Sequence, residues 1–274
     1  MTSIFKQGDK VVLVALSDPR NINIQPKINR LVETLENMGL IVSLSSYLYQ
    51  ENTSEEIIIK KAKEFNSFFA DNKFKAIFDI SGGDSANAVL EYLDYNLIKQ
   101  SDTIFFGYSD LTVIINALHT KSKKYSYLYQ VMNILDSRQE SIFIDTFFKN
   151  NNSLLSHKDT SKTIVGGNIR CFLKLASTEF FPNLDGSVLL LEAMSGNLNR
   201  AESYFRQLKQ MKAFEKVDSI ILGQFTELDK TIPDLDLVSI LKKYTPNHLT
   251  IIRDKEIGHS PNSKAVIIGK SHTI

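Results

Sequence analysis

Cysteine occurs once in these 274 residues and tryptophan not at all. The lone Cys171 excludes an intrachain disulfide, so the fold has to rest on its own core, and it fits a reducing, cytoplasmic setting. Charge of one sign is missing as well: 32 Lys and Arg stand against 31 Asp and Glu, with no long run of either. That balance argues against a nucleic-acid polymer or a membrane surface as partner and leaves small polar molecules. No apolar stretch approaches transmembrane length. The first apolar run, Val11 to Leu16, follows Gly8, Asp9 and Lys10 and precedes no small-residue cleavage site, unlike a signal peptide.

Cofactor signatures are absent too. Cys171 has no cysteine partner and there is no His-Glu-x-x-His, so no metal is expected; Walker-type and G-x-G-x-x-G loops are missing, so no nucleotide cofactor is expected either.

What is present is a regular alternation. "KVVLVAL" reads as a strand buried on both faces, then Ile28, Leu31, Val32 and Leu35 recur at helical spacing until Gly39 stops them. "LIVSL" is a second strand, and a capping box of Thr53 with Glu56 opens a helix through Ile57, Ile58, Ala62, Phe65 and Phe69. "KAIFDI", the loop "SGGDSAN" and a helical "AVLEYL" follow, then "TIFFGY" and "LTVIINALH". "YSYLYQVM" offers a fifth strand and "RQESIFIDTFFK" a closing helix. Such spacing predicts an α/β fold with a parallel sheet covered on both faces.

Composition changes at "KNNNSLLSHKDTSK", which divides an N-terminal α/β domain, 1–155, from a smaller, β-rich, mixed α/β C-terminal domain, 160–274. The second part holds "TIVGGN", "SVLLLEA", a helix around "AESYFRQLKQM", "SIILGQF", a helix "DLDLVSILKKY", and the strands "LTIIR" and "KAVIIG".

In an open parallel sheet the functional crevice lies beyond the carboxyl ends of the strands. Two loops fall there. In "SGGDS", Gly82 and Gly83 allow close backbone approach to a ligand. In "GYSD", Ser109 sits where a strand becomes a helix, so its hydroxyl stands above the sheet with the next backbone N–H beside it. The same pattern also describes an ordinary helix cap. A serine nucleophile needs a base and a group to orient that base. Of the five histidines, His119 falls late in a helix, His157 in the polar linker, His248 in a solvated turn and His272 near the terminus. His259 lies in the Gly- and Pro-bounded loop "EIGHSPNSKAVIIG", a place that suits either a rigid base or a plain surface residue. Glu192 closes the apolar run "SVLLLE", as an orienting carboxylate or as a solvated strand end.

The blocks "SGGDSANAVLEYLDYNLIKQSDTIFFGYSDLTVIINALHTK", "IVGGNI", "LDGSVLLLEA", "SIILGQF" and "IGHSPNSKAVIIG" resemble, in that order, the LD-carboxypeptidase and microcin-immunity family of serine peptidases. The block with "YLDYNLI" and "GYSDLT" is most similar to the microcin-immunity branch. The resemblance implies a Ser-Glu-His triad at Ser109, Glu192 and His259, with the smaller domain delivering the last two. It also implies oxyanion donors at the backbone of Asp110 and Gly83, and a homodimer. Candidate substrate contacts are Gly82, Ser85, Asn87 and Asn168, each of which also fits a tight turn or a helix cap. The implied substrate is a small murein-derived peptide or an aminoacyl-nucleotide. Departures are "YLYQVM" where many members carry His-Gly-Pro, Ser81 where several carry arginine, a short chain, and no tryptophan for base stacking. The alternative is a non-catalytic small-ligand binder that keeps the same fold.

Overall fold

The computed structural model describes residues 3–50, 53–70, 73–157 and 161–270. The first half alternates β1 (Lys10–Val14), α1 (Gln25–Asn37), β2 (Ile41–Leu44), α2 (Glu55–Ala70), β3 (Phe74–Asp79), α3 (Tyr95–Gln100), β4 (Ile104–Gly107), α4 (Thr112–Ser122), β5 (Ser126–Leu128) and α5 (Ser137–Phe147). Then come β6 (Ile164–Asn168), α6 (Ile169–Leu173), β7 (Val188–Ala193), α7 (Leu198–Gln210), α8 (Ala213–Lys216), β8 (Ser219–Phe225), α9 (Thr226–Thr231), α10 (Leu237–Lys242), β9 (Thr250–Arg253) and β10 (Val266–Ile268).

Two sheets result, ordered β10-β5-β4-β3-β1-β2 and β6-β7-β8-β9. All neighbours pair parallel except β10, which runs antiparallel to β5. Parallel strands must be covered on both faces, and β1, β3 and β4 are accordingly buried and rich in Val, Ile and Phe. On one side Phe5, Phe78, Phe106, Phe143 and Phe147 pack ring against ring. The α/β class expected from the alternation is the fold observed.

Three local readings differ. The first turn of α2 uses the Ser54 carbonyl, which accepts from the Ile57 and Ile58 amides, so the helix starts one residue later than a Thr53–Glu56 box predicts; Glu56 instead pairs with Lys60. "AVLEYL" is a 3-10 helix, Ala86–Tyr92, rather than an α-helix. "KAVIIG" supplies β10, which leaves the second half of the chain and closes the edge of the first sheet, Val266 opposite Leu128.

Helix α4 is the joint between the sheets. Its residues from Thr112 to Leu118 are all buried, because it packs on the first sheet and also meets β6 and α6. Asn116 donates to the Gly166 carbonyl (2.9 Å) and accepts from the Gly166 amide (2.9 Å), while Thr112 Oγ1 accepts from the Asn168 amide (3.0 Å). Such close approach needs glycine: at Gly167, φ +134°, a Cβ would lie 2.7 Å from Thr112 Oγ1. The "VGGN" segment thus brings two sheets together.

Candidate active site

Strand β4 ends at Gly107, and the chain turns through Tyr108 and Ser109 into α4. Ser109 has φ +55°, the left-handed region that L-residues avoid, as expected of a side chain held at a sharp strand-to-helix turn. Next to it, Asp110 is fully buried. Its carboxylate accepts from Ser17 Oγ (2.7 Å), the Ala86 amide (2.9 Å) and Lys174 Nζ (2.6 Å), which draws the loops after β1 and β3 and helix α6 onto the turn. Below it Asp79 accepts from the amides of Leu16 and Ser81 and from Ser81 Oγ. Burial pushes the Asp79 carboxyl up to about 6 against the pull of those hydrogen bonds.

The second sheet aims its strand ends at the same place. Asn168 and Glu192 are partners in register at the ends of β6 and β7. Glu192 has no exposed surface and sits where the β7–β8 register shifts. Across from it Gly223 is essential, since a Cβ there would lie 2.9 Å from Glu192 Cβ and 2.7 Å from the Ile257 carbonyl oxygen. Gln224 then fastens the loop after β9: its Nε2 donates to the Lys255 carbonyl (2.6 Å), and its Oε1 accepts from the Ser260 amide (3.2 Å).

Within that loop His259 Nδ1 stands 2.8 Å from Glu192 Oε2. The imidazole packs on the ring of Tyr108 at 4.6 Å, and the phenol oxygen is 3.3 Å from Nδ1. Burial, reinforced by Glu192, drives the Tyr108 phenol well above its usual pKa, so it stays neutral. With Nδ1–H donated to the carboxylate, Nε2 is the free lone pair; it is buried without a hydrogen-bond partner among the described residues, as is Glu192 Oε1. No hydrogen bond joins His259 to Ser109. Catalytic contacts of this kind are commonly open before substrate arrives.

A cavity of about 280 Å³ opens beside Ser109, lined by Gly83, Asp84, Asn168, Arg170, Ala193, Met194, Ser195 and Arg200. A larger one, about 550 Å³, lies at the opposite end of the first sheet among Lys6, Lys10, Lys75 and Asp102, away from the strands' carboxyl ends. No cluster of metal-ligating side chains occurs among the described residues.

Comparison with known proteins decides the family. Sequence profiles of the N-terminal and C-terminal domains of LD-carboxypeptidase match residues 11–129 and 162–274. The chain belongs to the LD-carboxypeptidase family. A presumed carboxypeptidase of Treponema pallidum is 26% identical over 94% of this chain and 87% of its own. The microcin C7 self-immunity protein MccF of Escherichia coli is 23% identical over 81% of this chain and 77% of its own. A solved structure of MccF with glutamyl sulfamoyl guanosine superposes with a TM-score of 0.82 at 18% identity, covering 98% of this chain and 93% of that one. A muramoyltetrapeptide carboxypeptidase from Oxalobacter formigenes gives 0.76 at 18% identity, over 95% and 92%.

Of the residues that the resemblance singles out, Ser109, Gly83 and Asn168 line one cavity, and Glu192 and His259 are bonded to each other. Asn168 also caps α6, its side chain accepting from the Cys171 amide (3.3 Å). Gly82, Ser85 and Asn87 lie outside the cavity lining: Ser85 Oγ is turned to Asp18 (2.5 Å) and Asn87 is exposed. His119 faces Gly269 on the far end of α4, His157 pairs with Asp254 (2.9 Å), His248 is exposed, and His272 lies outside the described residues. Arg170, Lys174 and Gln224 carry no sequence motif because their partners are distant in the chain, and Arg200 carries none because its guanidinium has no partner among the described residues; the glycine of "LGQF" beside a strand end is the one local signal.

Proposed function

We propose that the chain is a serine carboxypeptidase that hydrolyses an amide bond in a small murein-derived peptide. The observation that carries this reading is the bond between His259 Nδ1 and buried Glu192, which leaves Nε2 unpartnered on an imidazole that packs against Tyr108, the residue before Ser109. In the reaction Nε2 takes the Ser109 proton as Oγ attacks the amide carbonyl, and Glu192 steadies the imidazolium. The amides of Asp110 and Gly83 receive the oxyanion. The proton passes from Nε2 to the departing amine, and water then cleaves the acyl-enzyme by the same route.

The cavity lining favours a peptide over an aminoacyl-nucleotide. It offers guanidinium, carboxylate, amide and hydroxyl groups and, among the described residues, no aromatic ring for a base to stack on. A cytoplasmic enzyme acting as a homodimer completes the reading; sedimentation checks the dimer. Among the described residues no helix is long and apolar enough to cross a membrane.

The deciding experiment pairs a fluorophosphonate probe with mass spectrometry. Labelling of the native chain but not of Ser109→Ala, with D-alanine released from murein tetrapeptide, is the expected result. No labelling under conditions that label a relative would favour the non-catalytic binder. Release of an amino acid from an aminoacyl sulfamoyl nucleotide, with the tetrapeptide left intact, would move the substrate to the immunity branch.

A further inference from the structure

Three charged side chains line the cavity beside Ser109: Asp84, Arg170 and Arg200. Two of them are spent. The Arg170 guanidinium donates to the Gly83 carbonyl (2.9 Å) and pairs with Asp84, and Lys174 Nζ approaches the same Asp84 carboxylate at 3.5 Å. Arg200 is different. Its backbone amide donates to Asn197 Oδ1 (3.1 Å) at the start of α7, but no ion pair or hydrogen bond holds its guanidinium among the described residues.

The stem of Arg200 is nevertheless seated. It lies across Gly196, where an added Cβ would stand 2.8 Å from Arg200 Cδ and 3.3 Å from Cγ, at a φ of +120° that itself favours glycine. Gly196 is fixed in turn by its amide, which donates to Glu227 Oε2 (2.7 Å). The cavity lining thus carries an exposed guanidinium with no ion-pair partner among the described residues, a planar fork of donors beside a hydroxyl at a strained turn.

We propose that Arg200, seated over Gly196, is the specificity-determining residue of this site, receiving a carboxylate on the substrate group held beside Ser109. The assignment rests on the hydrolase reading above. A guanidinium suits a carboxylate because two parallel N–H donors match its two oxygens, a geometry that lysine cannot reproduce. Glycine at 196 keeps the stem laid toward the cavity; a side chain there displaces it.

The test compares an acyl-D-alanine peptide with its C-terminal amide, which lacks only the charge. For Arg200→Met the kcat/KM ratio of acid to amide should fall about 10- to 100-fold, carried by KM for the acid, with Arg200→Lys intermediate. Gly196→Ala should lower the ratio in the same direction. Thermal melting of each variant checks that it is folded. An unchanged ratio in folded Arg200→Met overturns the proposal, as does a loss confined to cleavage of an aminoacyl sulfamoyl nucleotide, which would put the anionic partner on the nucleotide side. Failure of the underlying reading looks different: wild-type Ser109 would then take no fluorophosphonate label at all.

Discussion

His259 and Glu192, 67 residues apart, share a 2.8 Å contact between Nδ1 and Oε2, with the carboxylate fully buried. A buried carboxylate on an imidazole fixes the tautomer, leaving the opposite nitrogen as acceptor, and it offsets the charge the ring gains when it takes a proton.

Glu192→Gln keeps the shape and removes that charge. The expected outcome is a fall in kcat of about 10³- to 10⁴-fold with little change in KM, the scale seen when a triad carboxylate becomes an amide. Stability should not fall with it, because a neutral amide is easier to bury than an ion. Steady-state kinetics and a thermal melt on one preparation separate the two effects. Equal loss of both would mean that Glu192 serves packing alone.

Ser109 is held at φ +55°. A left-handed backbone costs an L-residue about 1 kcal/mol and costs glycine nothing. Ser109→Gly should therefore be more stable than Ser109→Ala by up to about 1 kcal/mol in urea titrations, while both are inactive. If alanine is the more stable of the pair, the turn is not under strain.

Much of the fold is legible from periodicity because β-branched strands and amphipathic helices are local signals. Strands β1 to β5 and helices α1, α2, α4 and α5 follow from that alternation, whereas α3 does not. The return of β10 to β5 is not legible, since a three-residue strand says nothing about a partner well over a hundred residues away. The 3-10 helix at Ala86–Tyr92 keeps the apolar spacing that an α-helix would show, so the pattern alone does not tell the two apart. At the site, Ser109, Glu192 and His259 are each ambiguous alone, and only the family pattern singles them out together. Arg200 and Lys174 carry no motif; their meaning comes from which partners each has found or lacks.

Asp254 closes the base of the His259 loop. His157 Nε2 (2.9 Å) and Ser156 Oγ (2.7 Å) meet its Oδ2, and the Glu256 amide donates to Oδ1. The His157 hydrogen bond is the main cause that holds its carboxyl down at about 2, below the ordinary 3.8. A folded-state pKa below the unfolded value means stability that is present above about pH 4 and lost as pH falls through 2. Discounted for partial solvent access, the contribution is about 1 kcal/mol. Asp254→Asn should melt lower than wild type at pH 5, and the gap should narrow as the pH is taken toward 3. A gap independent of pH would assign the effect to lost packing.

Lys174 and Asp110 test whether the turn is held from the second sheet. The ammonium donates to Asp110 Oδ1 (2.6 Å) and to the Asp84 carbonyl (2.7 Å), so one side chain of α6 ties the Ser109 turn to the glycine loop. Asp110 is fully buried whereas the Lys174 side chain keeps 21% of its surface. Removing the partner of a buried ion costs about 3–5 kcal/mol when both are dry, and roughly 2 kcal/mol with one side wet. Lys174→Met should therefore destabilise by that smaller amount. In a double-mutant cycle with Asp110→Asn a coupling of at least about 1 kcal/mol is expected, little altered by 0.5 M salt because the pair is not screened. Activity should fall in Lys174→Met more than stability alone explains, since the Asp110 amide is the proposed oxyanion donor and its position depends on that carboxylate. A coupling near zero, or one erased by salt, would reduce the contact to an ordinary surface pair like Lys60 with Glu56.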